Sequence, residues 1–168
     1  MEGGLQRPTR FSIDWKNKDY LNEELFEKEL RRVSDHCHGC RRCVSLCNSF
    51  PTLFDLIDES KTFEVDGVTY NEFDKVIDHC YLCDLCYMTK CPYVPPHEWA
   101  IDFPHLMLRG KAIKYNKSKT SIRDKILTST DMLGKLGAHK IIAPILNYFN
   151  EVKIFRVILE KILKVHRN

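Results

Sequence analysis

The chain has 168 residues, 43% of them hydrophobic, with only 7 Gly and 7 Pro. That balance fits one folded domain with an appendage and excludes a disordered or collagen-like chain. The net charge of +3 conceals a division: residues 1–105 carry 12 Lys/Arg against 19 Asp/Glu, net −7, while residues 106–168 carry 14 against 4, net +10.

In chain order, residues 1–18 read as irregular. Met1 to Arg10 contain no apolar run, so no secretory signal is read and the expected compartment is a reducing cytoplasm. Residues 19–35 read as a helix, with Leu21, Leu25, Phe26, Leu30 and Val33 at helical spacing and Glu23 and Glu24 in the first turn. A first cysteine block runs from Cys37 to Cys47. Pro51 then stands where a helix can begin, and Phe50, Leu53, Phe54 and Ile57 form its apolar stripe. Asp66-Gly67 between two valines is a tight-turn signal, with a small hairpin as one form it can take. Thr69 and Glu72 have the spacing of a capping box ahead of a helix with Phe73, Val76 and Ile77 on its apolar face.

The second cysteine block ends at Cys91 and runs into Pro92-Tyr93-Val94-Pro95-Pro96, which reads as stiff and extended. Residues 97–114 read as helical in part, kinked or restarted at Pro104, and 115–121 as a polar connector. The remainder is helical, punctuated by Gly134, Gly137 and Pro144, with Ile154, Phe155, Ile158, Leu159 and Ile162 on one face of a last helix. No apolar run approaches the roughly 20 residues of a membrane span; the longest is Ile141–Leu146. Residues 138–165 are amphipathic and basic, the pattern of a helix packed on its own domain, on a partner subunit or at a membrane surface. The expected fold class is therefore mostly α.

All eight cysteines lie in the two blocks: Cys37-x2-Cys40-x2-Cys43-x3-Cys47 and Cys80-x2-Cys83-x2-Cys86-x4-Cys91-Pro92. In a reducing compartment such a pattern reads as metal ligation. Zinc uses paired C-x2-C knuckles closed into one tetrahedron, which this layout is not. A [4Fe–4S] cube offers four iron corners, and three Cys spaced by two residues can wrap three of them in one short loop. The fourth corner is reached by a Cys from elsewhere, and in two-cluster ferredoxins it comes from the opposite block. The expected ligand sets are Cys37, Cys40, Cys43 and Cys91 for one cluster, and Cys80, Cys83, Cys86 and Cys47 for the other. Crossed in this way, the clusters would staple the two blocks together and contribute to folding.

Among the neighbours, Gly39 is expected to let the loop bend close to a cluster. Val44, Leu46, Leu82, Leu85, Tyr87 and Met88 are expected to shield the clusters from water. His36, His38 and His79 read as polar neighbours, and Arg31, Arg32, Arg41 and Arg42 as cations offsetting cluster charge or meeting an acidic partner. No phosphate-binding loop, dinucleotide fingerprint, zinc-protease helix or aromatic-interleaved basic stretch is present, so no substrate or nucleic-acid site is read.

The second block with its tail, Cys91-Pro-Tyr-Val-Pro-Pro-His-Glu-Trp99 and Asp102-Phe-Pro-His-Leu-Met-Leu-Arg109, resembles the N-terminal, dicluster part of the iron–sulfur subunit of anaerobic glycerol-3-phosphate dehydrogenase and its heterodisulfide-reductase-related relatives. The tail of the first block, Cys47-Asn-Ser-Phe-Pro-Thr-Leu-Phe-Asp55, is similar to the same family. The resemblance implies an α-helical ferredoxin domain over 19–115, followed by a basic helical extension over 116–168. It also implies electron transfer through two [4Fe–4S] clusters within a larger oxidoreductase, as a non-catalytic subunit. The implied partners are redox subunits, such as a flavoprotein dehydrogenase or a protein with Cys-Cys-Gly domains. The implied location is cytoplasmic, on the inner face of a membrane if residues 138–165 bind one. Longer members continue into Cys-Cys-Gly domains that this sequence does not contain, so a split subunit or a truncated remnant is also implied. A cluster-based redox or iron sensor is the competing function.

Overall fold

A computed structural model describes residues 7–117 and 120–164, apart from the Lys90 side chain. Among these residues the protein is mostly α-helical and contains no β-strand. It divides into two compact units, Met1–Lys117 and Ser118–Asn168.

The first unit is built on four helices. A 3-10 turn at Lys18–Leu21 leads into α1, Glu23–Cys40. Asn22 caps α1 by accepting a hydrogen bond from the Leu25 amide at 3.1 Å, and Glu23 and Glu24 favour the positive end of its dipole. The helix runs five residues beyond its expected end. Glu27 and Arg31, four apart, and Glu29 and Arg32, three apart, form ion pairs on its surface, and no helix breaker intervenes before Arg41. Phe26, Leu30 and Val33 face the core, whereas Leu21 and Leu25 are exposed, so the apolar stripe is narrower than the sequence suggested.

Helix α2, Ser49–Asp58, buries Phe50, Leu53, Phe54 and Ile57, with Pro51 in its first turn. Helix α3, Phe73–His79, buries Phe73, Val76 and Ile77. It follows a 3-10 turn at which Glu72 accepts from both the Thr69 amide and hydroxyl, at 2.8 and 2.7 Å. Helix α4, Phe103–Asn116, is capped by Asp102, which accepts from the His105 amide at 3.1 Å; Pro104 lies in its first turn and starts the helix without kinking it. Together these helices bury fourteen apolar side chains of one core, each contributing about 1.5–3 kcal/mol.

Two connectors depart from expectation. The tight turn expected at Asp66-Gly67 forms as a 3-10 turn, Val65–Gly67, with the Val68 amide donating to the Val65 carbonyl at 3.3 Å, but no hairpin flanks it. Arg31 donates to the carbonyls of Val65 and Val68 at 2.9 and 3.1 Å, which holds both valines buried against α1 instead of alternating across a strand. The Pro92–Pro96 segment folds back in successive turns instead of extending. The His97 amide donates to the Val94 carbonyl at 3.0 Å and the Ile101 amide returns to the Tyr93 carbonyl at 2.9 Å.

The second unit contains α5 (Ile122–Leu127), α6 (Thr130–Gly137), α7 (Ile142–Glu151) and α8 (Lys153–Leu163). Gly134 lies inside α6, Gly137 ends it, and Pro144 sits in the first turn of α7. Phe149 and Phe155 join α7 to α8 with ring centroids 5.3 Å apart. No residue of these four helices is fully buried, and Ile154, Ile158 and Ile162 form an exposed row on α8. Among the described residues no helix is long and apolar enough to cross a membrane.

Candidate metal centre

The first block begins on a helix and not in a loop. Cys37 and Cys40 occupy the last turn of α1, three residues apart and hence on one face. The helix stops at Arg41, whose left-handed backbone (φ 51°) turns the chain sharply back. The Arg41 guanidinium pairs with Asp58 at the end of α2, which holds that conformation in place. Two short turns then bring Cys43 back towards α1, and Cys47 arrives just before α2, where the dipole favours a thiolate.

In the second block, Cys80 ends α3. Leu82 and Asp84 both take left-handed backbone, at φ 56° and 61°, so the chain coils tightly through Cys83 to Cys86. A π-helical turn, Cys86–Lys90, closes with the Cys91 amide donating to the Cys86 carbonyl at 2.8 Å.

All eight cysteines are free thiols. Cys37, Cys40, Cys43 and Cys91 line one cavity. Cys47, Cys80, Cys83 and Cys86 line another. A third is lined by Cys37, Cys43, Cys86 and Cys91 and therefore adjoins both groups. Each of the first two cavities contains three cysteines of one block and the last cysteine of the other. Among the described residues, no three Cys, His, Asp or Glu side chains converge as they would on a single metal ion.

Burial pushes the Cys37 thiol well up, and the neighbouring charges of Cys91, Cys43, Cys86 and Cys40 push it further. Burial likewise raises Cys86, followed by Cys43, Cys80 and Cys47, and burial also raises Cys80 and Cys91. Thiols so crowded resist ionising together unless cations share the space, so this donor set favours binding of cations.

The surroundings differ from several expectations. Gly39 lies inside α1, and a Cβ there would meet nothing within 4 Å, so it does not bend a loop over the site. Val44, Leu82, Leu85 and Met88 are exposed, because the tight coil of each block turns them outward. Leu46 and Leu85 still touch the second cavity, and Tyr87 is buried beside the third. The apolar walls come chiefly from Phe50, Ile101, Phe103 and Pro104, brought by α2 and the start of α4.

The histidines have partners of their own: His36 stacks on Trp99 with centroids 4.3 Å apart while also lining the first thiol cavity, His38 is hydrogen-bonded to Arg41, and His79 to Thr52. Arg31, Arg32 and Arg41 are paired to Glu27, Glu29 and Asp58, and of the four arginines only Arg42 lines a thiol cavity. Sequence reasoning missed Arg10, which reaches Asp84 between Cys83 and Cys86. The sequence signal available was Asp84 itself, a carboxylate set among thiolates and needing a cation.

An all-helical unit with two four-cysteine cavities is the class that fold and site define. Over 94 residues the chain is 31% identical to Citrate utilization protein B of Escherichia coli. The match takes in 53% of this chain and 21% of that protein, so the chain spans about a fifth of the relative's length. No family model matches the chain, and no solved structure matches it.

Proposed function

We propose that the chain binds two [4Fe–4S] clusters and relays electrons between partner proteins of a larger oxidoreductase. Cys37, Cys40, Cys43 and Cys91 would hold one cluster, and Cys47, Cys80, Cys83 and Cys86 the other. When bound, each cluster supplies a reversible one-electron carrier. The protein's own contribution is to fix the thiolates, exclude water with Phe50, Ile101 and Phe103, and offset negative charge with Arg42. Zinc uses paired C-x2-C knuckles closed into one tetrahedron, whereas each thiol group here takes three closely spaced cysteines of one block and the last cysteine of the other.

The observation that carries the reading is the pair of four-thiol cavities joined by a third that thiols of both groups line. Neighbouring centres suit a relay. The α-helical ferredoxin fold, the likeness to the iron–sulfur subunit of anaerobic glycerol-3-phosphate dehydrogenase, and a cytoplasmic location belong to the same reading. So do the redox partners, a flavoprotein dehydrogenase or a Cys-Cys-Gly-domain protein. The exposed row Ile154, Ile158 and Ile162 on α8 supports docking of the second unit on a partner subunit. Liposome flotation of the purified chain tests the membrane alternative for 138–165.

The electron-transfer reading is tested by titrating anaerobically purified protein with dithionite. Reversible bleaching near about 400 nm and a spin-coupled EPR signal from two reduced centres are expected. A protein that neither bleaches nor gives a signal contradicts the proposal.

A further inference from the structure

The segment before the first helix is anchored to the second cysteine block at several points. Arg10 presents its guanidinium edgewise to two carboxylates at once. Its Nη1 and Nη2 donate to Asp84 at 2.8 and 3.0 Å, and its Nε and Nη2 donate to Asp102 at 2.8 and 2.9 Å. These partners lie 74 and 92 residues away in sequence. The same guanidinium lies 4.2 Å from the centre of the Tyr87 ring. The Tyr87 hydroxyl donates to the Thr9 carbonyl at 3.1 Å, and the Thr9 amide donates to the Pro95 carbonyl at 2.9 Å.

Each contact falls on a piece of the cysteine scaffold. Asp84 sits between Cys83 and Cys86 in disfavoured left-handed backbone, Tyr87 follows Cys86, and Pro95 follows Cys91. Asp102 caps α4, which supplies Phe103 and Pro104 to the cavity walls. Arginine suits this position because its planar fork engages each of two carboxylates with two parallel hydrogen bonds, a bidentate geometry that a lysine ammonium cannot reproduce.

We infer that Thr9 and Arg10 form a latch over the second cysteine block. In it, Arg10 is the positioning residue that holds the Cys83–Cys86 coil against the start of α4 and cancels the Asp84 charge beside the thiols. The charge half of this inference rests on the cluster reading above; the latch half does not. Removing the cation beside an anionic centre disfavours adding an electron, so the local reduction potential moves to more negative values.

The experiment compares the full-length wild-type chain with Arg10→Ala and Arg10→Lys. Amide hydrogen exchange over residues 80–91 reads the latch with or without clusters bound. EPR-monitored redox titration of the loaded protein reads the charge. Arg10→Ala should raise exchange over 80–91 by about tenfold, leave α2 unchanged, and shift one of two potentials negatively. Arg10→Lys should raise exchange comparably while keeping both potentials near wild type, and it supplies the exchange comparison if the alanine variant does not fold. Wild-type exchange over 80–91 in the variants overturns the latch. Faster exchange with both potentials unmoved in Arg10→Ala overturns the charge role. A wild-type chain lacking iron and sulfide would overturn the cluster reading and the charge role, while the exchange comparison would still decide the latch.

Discussion

Phe50 on α2 and Phe103 at the start of α4 stack with ring centroids 4.5 Å apart and planes inclined by 29°, and both line the cavity between the two thiol groups. Phe50 reaches all three cavities, so one ring closes the helical core and walls both thiol groups. Replacing Phe50 by Ala should cost about 3–5 kcal/mol of unfolding free energy and admit water to both centres. Anaerobic denaturant unfolding measures the first effect. The rate of bleaching in air, faster than wild type for the whole chromophore, measures the second.

The composition of the cavities predicts how cysteine variants sort. Cys91→Ser and Cys40→Ser should perturb the same EPR component, and Cys47→Ser and Cys83→Ser the other. Each single variant should retain about half of the wild-type iron. Uncrossed ligation would exchange the behaviour of Cys47 and Cys91, and EPR spectra of the four variants distinguish the two arrangements.

Helix α4 passes α1 and α3 closely at Gly110, where an added Cβ would lie 2.8 Å from Phe26 Cζ and 2.9 Å from Ile77 Cδ1. Both neighbours are fully packed core side chains. Gly110→Ala gains up to about 1 kcal/mol of helix propensity but incurs about 1–3 kcal/mol of overpacking. A net loss is expected, seen as a lower Tm in thermal unfolding of the loaded protein.

Thr69 hydrogen bonds, from its hydroxyl first and its amide second, hold the Glu72 carboxyl below the usual range. A carboxyl depressed in the folded state stabilises it above the unfolded value of about 4.3, and that contribution disappears as pH falls through the folded value. Thr69→Val removes the hydroxyl, so the Glu72 titration should move up towards about 4.3. Carboxyl NMR titration reads the shift directly.

Helices α2 and α3 are legible in the sequence because their stripes, Phe50 to Ile57 and Phe73 to Ile77, coincide with buried faces, and the Thr69–Glu72 pairing is local. The Asp66-Gly67 turn is legible, but the hairpin around it does not form because Arg31, more than thirty residues earlier, captures the neighbouring carbonyls. Gly67 has no left-handed backbone; a Cβ there would instead press on Ser60 and Thr62. The end of α1 lies beyond its expected position because a cysteine block reads as loop, although nothing before Arg41 halts the helix. The cysteine blocks are legible as ligand candidates from their spacing, whereas which thiols share a cavity depends on how the fold brings the two blocks together. The walls and the Arg10 contacts depend on tertiary folding, which brings together residues far apart in sequence.

What fills the two thiol-walled cavities decides the central claim. Iron and acid-labile sulfide, counted against protein in an anaerobic preparation of the intact chain, should each approach about eight per chain. Stoichiometric zinc with no sulfide would contradict it.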